Sequence, residues 1–226
     1  MTTNMKTKQL QIILNDFELF SRTTLLQLQI ATKLLENNKI DSLIEEAEAN
    51  EIIIDRLEIK IREEVVFAIF QFTPKAADLR KIITYQDITT NLERVGDMLL
   101  NIVHCLRDCN LHDTAFNEQR KMIEKMLGYV SEMLRNSIFS FNNEDAKVAY
   151  EILKEDDKVD ELFWKIKLSL QKSFANKPLS EDIISKIMVI DTISHNLERI
   201  GDSATNIAES TIYLTEGKDI RHGNKR

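Results

Sequence analysis

This chain has little that punctuates or cross-links a polypeptide: 5 glycines, 2 prolines and 2 cysteines in 226 residues. So few Gly and Pro exclude a sandwich or barrel built on many tight turns. Two cysteines exclude a disulfide framework and make the reducing cytoplasm the expected compartment. There is no basic excess either. The formal net charge is −7, which argues against general nucleic-acid binding, since that needs a basic stripe. It is compatible with cation binding. No apolar run approaches the roughly 20 residues that cross a bilayer, and Met1 to Leu14 holds no apolar core of secretory length. A cytoplasmic protein is therefore expected, and not an integral membrane one.

What the chain does have is helical periodicity. Hydrophobic residues make up 43% and charged residues 30%, a balance that suits amphipathic helices. Leu10, Ile13, Leu14, Phe17 and Phe20 open a first predicted helix running to about Leu35, followed by a turn at Glu36 to Lys39. A second helix, from about Asp41 to Phe70, carries Leu43, Ile44, Ile54, Leu57, Ile61, Val65 and Ile69. Thr73-Pro74 marks a restart, with Thr73 as the expected N-cap and Pro at the first helical position. The third helix then continues to about Arg107. The second half repeats this plan, with helices expected at about Ala115 to Phe141, Glu144 to Phe174 and Ser180 to Leu214. Asn142-Asn143 and Lys177-Pro178 form the breaks, and Ser180-Glu181-Asp182 caps the last helix. Three helices with short turns pack as an antiparallel bundle. The predicted fold is all-α: two tandem antiparallel three-helix bundles, residues 1–112 and 113–215, followed by a flexible tail at 216–226.

The halves also share sequence. The segment from Asn91 to Ile102 returns at Asn196 to Ile207, with eight of twelve positions identical. An internal repeat of this kind is the mark of a duplicated architecture. What recurs is chemical: Glu93 and Asp97, then Glu198 and Asp202, each pair spaced by four around Gly96 or Gly201. At the same step, Glu51 and Asp55 on the second helix correspond to Asp156 and Asp160 on the fifth. A spacing of four places both carboxylates on one face, where like charges are mildly destabilising. If the second and third helices of each half oppose these faces, four carboxylates converge. The carboxylates so placed, as candidate metal ligands, are Glu51, Asp55, Glu93 and Asp97, then Asp156, Asp160, Glu198 and Asp202. Oxygen ligands suit Mg, Ca, Mn or iron, and no Cys or His recurs there to favour Zn. Oxygen donors discriminate poorly among hard cations, so the metal is undetermined, with Fe, Mn, Mg and Zn all candidates. Asn101 and Asn206 lie one step further along and offer neutral oxygens. Gly96 and Gly201 each cost about 1 kcal/mol in a helix interior relative to alanine, so two of five glycines here imply that space is needed. The plainer alternative is solvated acids, with Arg94 and Arg199 as salt-bridge partners.

Asn-Leu-Glu-Arg-Ile-Gly-Asp-Ser-Ala-Thr-Asn-Ile-Ala-Glu at 196–209 resembles the signature of the PhoU family, the phosphate-specific transport accessory proteins. The copy at 91–102, with Ala76 to Arg80 upstream, is similar to that family's first repeat, and the resemblance spans essentially the whole chain. It implies a cytoplasmic regulator and not an enzyme. Such a regulator represses the phosphate-starvation response, acting between the ATPase subunit of a high-affinity phosphate ABC transporter and a sensor histidine kinase. The resemblance further implies a homodimer with multinuclear metal clusters at the duplicated acidic motifs. Met98 and Ser203 stand where the family commonly has histidine, and Leu99-Leu100 where small residues are typical, so the first copy is the less orthodox.

Other features have weaker claims. His195 shares the face of Glu198 and is a candidate extra ligand, though its counterpart is Thr90. His104, Cys105, Cys109 and His112 have ligand-like spacing, but the other half lacks them, and a structural zinc site needs ligands from more than one helix end. Cys105 and Cys109 read as packing residues, and Trp164 and the phenylalanines as core. A carboxylate-bridged di-iron enzyme needs Glu-x-x-His on its helices, and that pattern is absent. A purely structural dimerising bundle is the remaining alternative.

Overall fold

Long apolar stripes with few breakers become long helices. The computed structural model describes residues 2–37, 40–175 and 178–221, with side chains from Gln9 onward. Among these residues are six α-helices and no strand: α1 (Thr2–Asn37), α2 (Asp41–Phe72), α3 (Ala76–Asp108), α4 (Asn117–Asn142), α5 (Ala146–Phe174) and α6 (Glu181–Glu216), with a short 3-10 turn at Thr114–Phe116 before α4.

Side-chain pairs give the directions. Gln27 meets Glu51 and Asp16 meets Lys60, so α1 and α2 run antiparallel. Ile54 lies against Gly96, and Glu48 against His104, which makes α2 and α3 antiparallel. Gln119 to Ser169 on α4 and α5, and Val159 to Gly201 on α5 and α6, repeat the arrangement. The bundles join through α3 and α6, themselves antiparallel, since Asn206 bonds Asn91 while Arg80 sits over the Tyr213 ring. Helices α2, α3, α6 and α5 thus follow one another side by side. α1 covers the first pair and α4 the second.

One continuous core runs through both bundles. Where they meet, Phe17, Tyr85 and Phe141 from α1, α3 and α4 pack edge to face, with ring centroids 4.9–5.1 Å apart. Such aromatic pairs add attraction beyond the area they bury.

Helix ends depart from expectation in places. Thr73 is the C-cap of α2, in the left-handed region at φ 40° with its amide bonded to the Ile69 carbonyl, and α3 begins only at Ala76. Pro74 stops α2 rather than starting the next helix, because it cannot donate the amide that continuation requires. α5 begins at Ala146, two residues after the expected Glu144, and Asp145 caps it by accepting from Lys147 and Val148. Ser180 caps α6 as expected, its hydroxyl accepting from Ile183. Gly217 ends α6 at φ 71°, with the Arg80 guanidinium where a Cβ would project. The expected breaks at Asn38-Lys39 and Lys177, and the tail beyond Arg221, lie outside the described residues. Trp164 is not core: it is 62% exposed, and Phe67, Phe70 and Phe139 are exposed as well. Each stands on the outward face of its helix, which aromatic identity alone does not reveal.

Candidate metal centres

The first centre lies along the seam of α2 and α3. Gly96 allows the close approach there. A Cβ on it would stand 3.1 Å from Ile54 Cδ1 and 3.2 Å from Glu51 Oε2, tighter than side chains normally pack. The helices therefore close over Glu51, which is only 8% exposed. Its Oε2 accepts a hydrogen bond from Gln27 Nε2 at 3.2 Å, whereas its buried Oε1 has no hydrogen-bond partner. Burial first, then the neighbouring Asp97 carboxylate and the charges of Asp55 and Glu93, push the Glu51 carboxyl up to about 8. Glu93 is raised too, by burial first and then by Asp97, Glu58 and Asp55. All four predicted acids of this half are thus electrostatic neighbours. A buried carboxylate sits at the base, with exposed Asp55 and Asp97 at the rim.

The second centre, along α5 and α6, repeats the first in a more open form. A Cβ on Gly201 would lie 3.3 Å from Val159 Cγ1 and 3.7 Å from Asp156 Oδ1. Asp156, the counterpart of Glu51, is raised to about 6 by burial, then by Asp160, Asp202, Asp157 and Glu198. Glu198 is raised by burial and Asp202, and His195 opposes the rise. Its carboxylate stands 3.8 Å from His195 Nδ1, so the histidine that sequence nominated as an extra ligand is beside the centre.

Arginines stand beside the motif glutamates in both seams. Arg94 and Arg199 are exposed and form no ion pair among the described residues, although each draws its neighbouring glutamate pKa downward. The salt-bridged alternative therefore fails for these two arginines. Nor are the carboxylates closed into a finished cage. Among the described residues no group of three or more His, Cys, Asp or Glu side chains is placed to hold a metal ion. The acids of each half are neighbours across a seam and would have to draw inward around an ion.

The donors of the first seam are of the chemical type that suits a hard cation. An unpartnered buried carboxylate oxygen, acidic oxygens from two helices and a glycine that leaves room beside them make a site where positive charge relieves a standing cost. Elevated carboxylate pKa values record that cost, because protonation is how the metal-free protein neutralises a buried charge.

Some participants were not found from sequence. Glu58, seven residues after Glu51, adds a fifth acid to the first centre while pairing with Arg62 at 2.8 Å. Its spacing from Asp55 was a usable signal, but its counterpart is Phe163, so the repeat hid it. Gln27 left no local signal at all, since it comes from a third helix. Of the suggested neutral donors, Asn206 turns to Asn91 of the other repeat, and Asn101 Oδ1 lies 4.0 Å from the Cys105 sulfur. Cys105 and Cys109 are free thiols, half-buried against the core, and burial raises both. His104 points to Glu48 instead. That cluster does not converge.

The duplicated seam has a match among known proteins. The model of the PhoU domain matches twice, over residues 17–106 and 123–211. This chain belongs to the PhoU family. Each match contains one complete set of four acids. Among curated relatives, a phosphate-specific transport system accessory protein PhoU homolog from Clostridium acetobutylicum is 32% identical over 169 residues, covering 74% of this chain and 75% of the relative. One from Aquifex aeolicus is 32% identical over 192 residues, covering 85% and 84%. The crystal structure of PhoU from Pseudomonas aeruginosa superposes with a TM-score of 0.86 at 25% identity, covering 94% of this chain and 99% of that one. The six-helix PhoU architecture is therefore common to both. No helix among the described residues is long and apolar enough to cross a membrane.

Proposed function

We propose that this protein is an accessory regulator of a phosphate-specific transport system, working in the cytoplasm as a homodimer and without catalysis of its own. In this reading it restrains the phosphate-starvation response when phosphate is plentiful, coupling the ATPase subunit of the phosphate ABC transporter to a sensor histidine kinase. The double PhoU match across both bundles carries this reading, together with relatives whose names describe phosphate-transport accessory proteins. Deleting the gene in its source organism and measuring starvation transcripts in phosphate-rich medium tests it. Derepression is expected, and unchanged repression would overturn the role.

Metal binding at the two seams is part of the proposal. Glu51, Asp55, Glu93 and Asp97 would hold one centre, and Asp156, Asp160, Glu198 and Asp202 the other. A bound cation would supply positive charge to these carboxylates. The chain's own part is to present hard oxygen donors from both sides and to hold Glu51 in place through Gln27. The observation that favours this is the buried Glu51 carboxylate among the acids of the first seam, one of whose oxygens has no hydrogen-bond partner among the described residues. Metal analysis of purified protein is the check. The wild type should carry stoichiometric metal, and Glu93→Gln with Asp97→Asn should lose the share belonging to the first seam. Equal content in both proteins would remove that site.

A further inference from the structure

The outward face of α2 carries a pattern that neither the core nor the acidic seam uses. Ile52, Arg56, Ile59, Glu63, Val66 and Phe70 follow one another at alternating steps of four and three, the spacing of a coiled-coil seam. All six are exposed, Phe70 at 83%. The opposite face of the helix, with Ile54, Leu57, Ile61, Val65 and Ala68, is buried in the bundle. This is an apolar ribbon facing solvent, of the kind that marks an interaction surface. The duplication shows that the fold does not require its full length. On α5 the counterparts of Ile52, Val66 and Phe70 are Asp157, Gln171 and Ala175, and only the middle, at Trp164 and Leu168, keeps large apolar side chains. A helix in the same structural position can thus lack the ends of the ribbon, and α2 keeps them.

The two charges within the ribbon identify what covers it. Arg56 and Glu63 lie seven residues apart on either side of Ile59, and neither is in an ion pair among the described residues. A second α2 laid parallel would face Arg56 with Arg56 and Glu63 with Glu63. Laid antiparallel, it brings each Arg56 within reach of the other copy's Glu63, twice by symmetry, while Ile52 approaches Phe70 and Ile59 lies near the dyad. The surface is self-complementary about a two-fold axis perpendicular to the helix, which sets the two copies antiparallel. We infer that α2 is the homodimer interface, packing antiparallel against α2 of a second copy, with Arg56 and Glu63 setting its direction. The inference deepens the dimer reading given above, but it stands on the ribbon and its charges.

Sedimentation velocity on the full chain tests it, with circular dichroism to show that each variant keeps its helix content. Arg56→Glu alone sets acid against acid across the dyad, and Glu63→Arg alone sets arginine against arginine. Each should weaken dimerisation by at least about tenfold, because like charges meet in a docked interface. An equimolar mixture of the two single variants should recover a dimer, since the two acids in the ribbon of one copy then face the two arginines in the ribbon of the other. The double variant should likewise self-associate near the wild-type Kd. A wild type that stays monomeric at its highest soluble concentration would overturn both the dimer and this surface. A dimer indifferent to both single reversals, or singles that fail to recover on mixing, would overturn this surface and leave dimerisation standing elsewhere.

Discussion

Glu51 is the residue whose chemistry is most out of the ordinary. Its folded-state pKa of about 8 lies well above the ordinary 4.5, so the native metal-free protein holds a proton that the unfolded chain releases. The contribution to stability is therefore complete below about pH 4.5 and is lost as pH rises through about 8. Metal-free wild type should show a falling melting temperature across that window. Glu51→Gln, which cannot ionise, should flatten the slope, as thermal melts at stepped pH would show. An unchanged slope would mean that Glu51 is ionised in the native state. Because a cation needs the ionised carboxylate, metal affinity should climb over the same window and binding should release protons. Isothermal titration in buffers of different ionisation enthalpy would detect that release. The glycines divide similarly. Alanine at Gly96 meets Ile54 and Glu51 at 3.1–3.2 Å, whereas at Gly201 its nearest neighbour is one valine methyl at 3.3 Å. Both gain about 1 kcal/mol of helix propensity, so Gly96→Ala should be the more costly of the two by urea denaturation. The reverse order would show that the first seam opens easily.

Among the elements, α6 depends most visibly on its start. Ser180 accepts from Ile183, while Glu181 and Asp182 occupy the first turn, where the helix dipole favours negative charge. Ser180→Ala should cost about 1 kcal/mol of stability. The loss should appear as faster amide exchange over the first turns of α6, and equal protection in the variant would show that the cap is idle. Helix existence and order were legible from apolar spacing, because that spacing is what buries one face of each helix. The ends were less so. Thr73 has the composition of an N-cap and serves as a C-cap, since the decision belongs to Pro74 and to where α2 runs out of neighbours. Trp164 and Phe70 show the same limit for burial: helical position, and not hydrophobic identity, leaves them on the outside.

At the scale of the molecule, the rings of Phe17, Tyr85 and Phe141 hold the bundles together next to the α3–α6 contact. Phe141 is almost fully buried, and Phe141→Ala should cost about 3–5 kcal/mol. The expected signature is a single unfolding transition in the wild type and a broadened or split one in the variant, as the two bundles uncouple. A transition that shifts but stays sharp would show that the α3–α6 seam suffices to couple them. None of the three rings belongs to the acidic repeat, so comparing the two copies gave no hint that they would meet.

Sequence alone determined the six helices, their division into two equivalent sets and the eight acids that line the two seams. These are written in local periodicity and in a fixed repeat distance, and both survive without any knowledge of neighbours. Tertiary structure decided the rest. It deepened the inequality of the two copies, burying Glu51 against Gln27 while leaving Asp156 more open. It left Arg94 and Arg199 facing solvent, and it exposed the ribbon on α2. Each of these depends on which helix lies against which, and burial and charge pairing are properties of that contact rather than of any one segment.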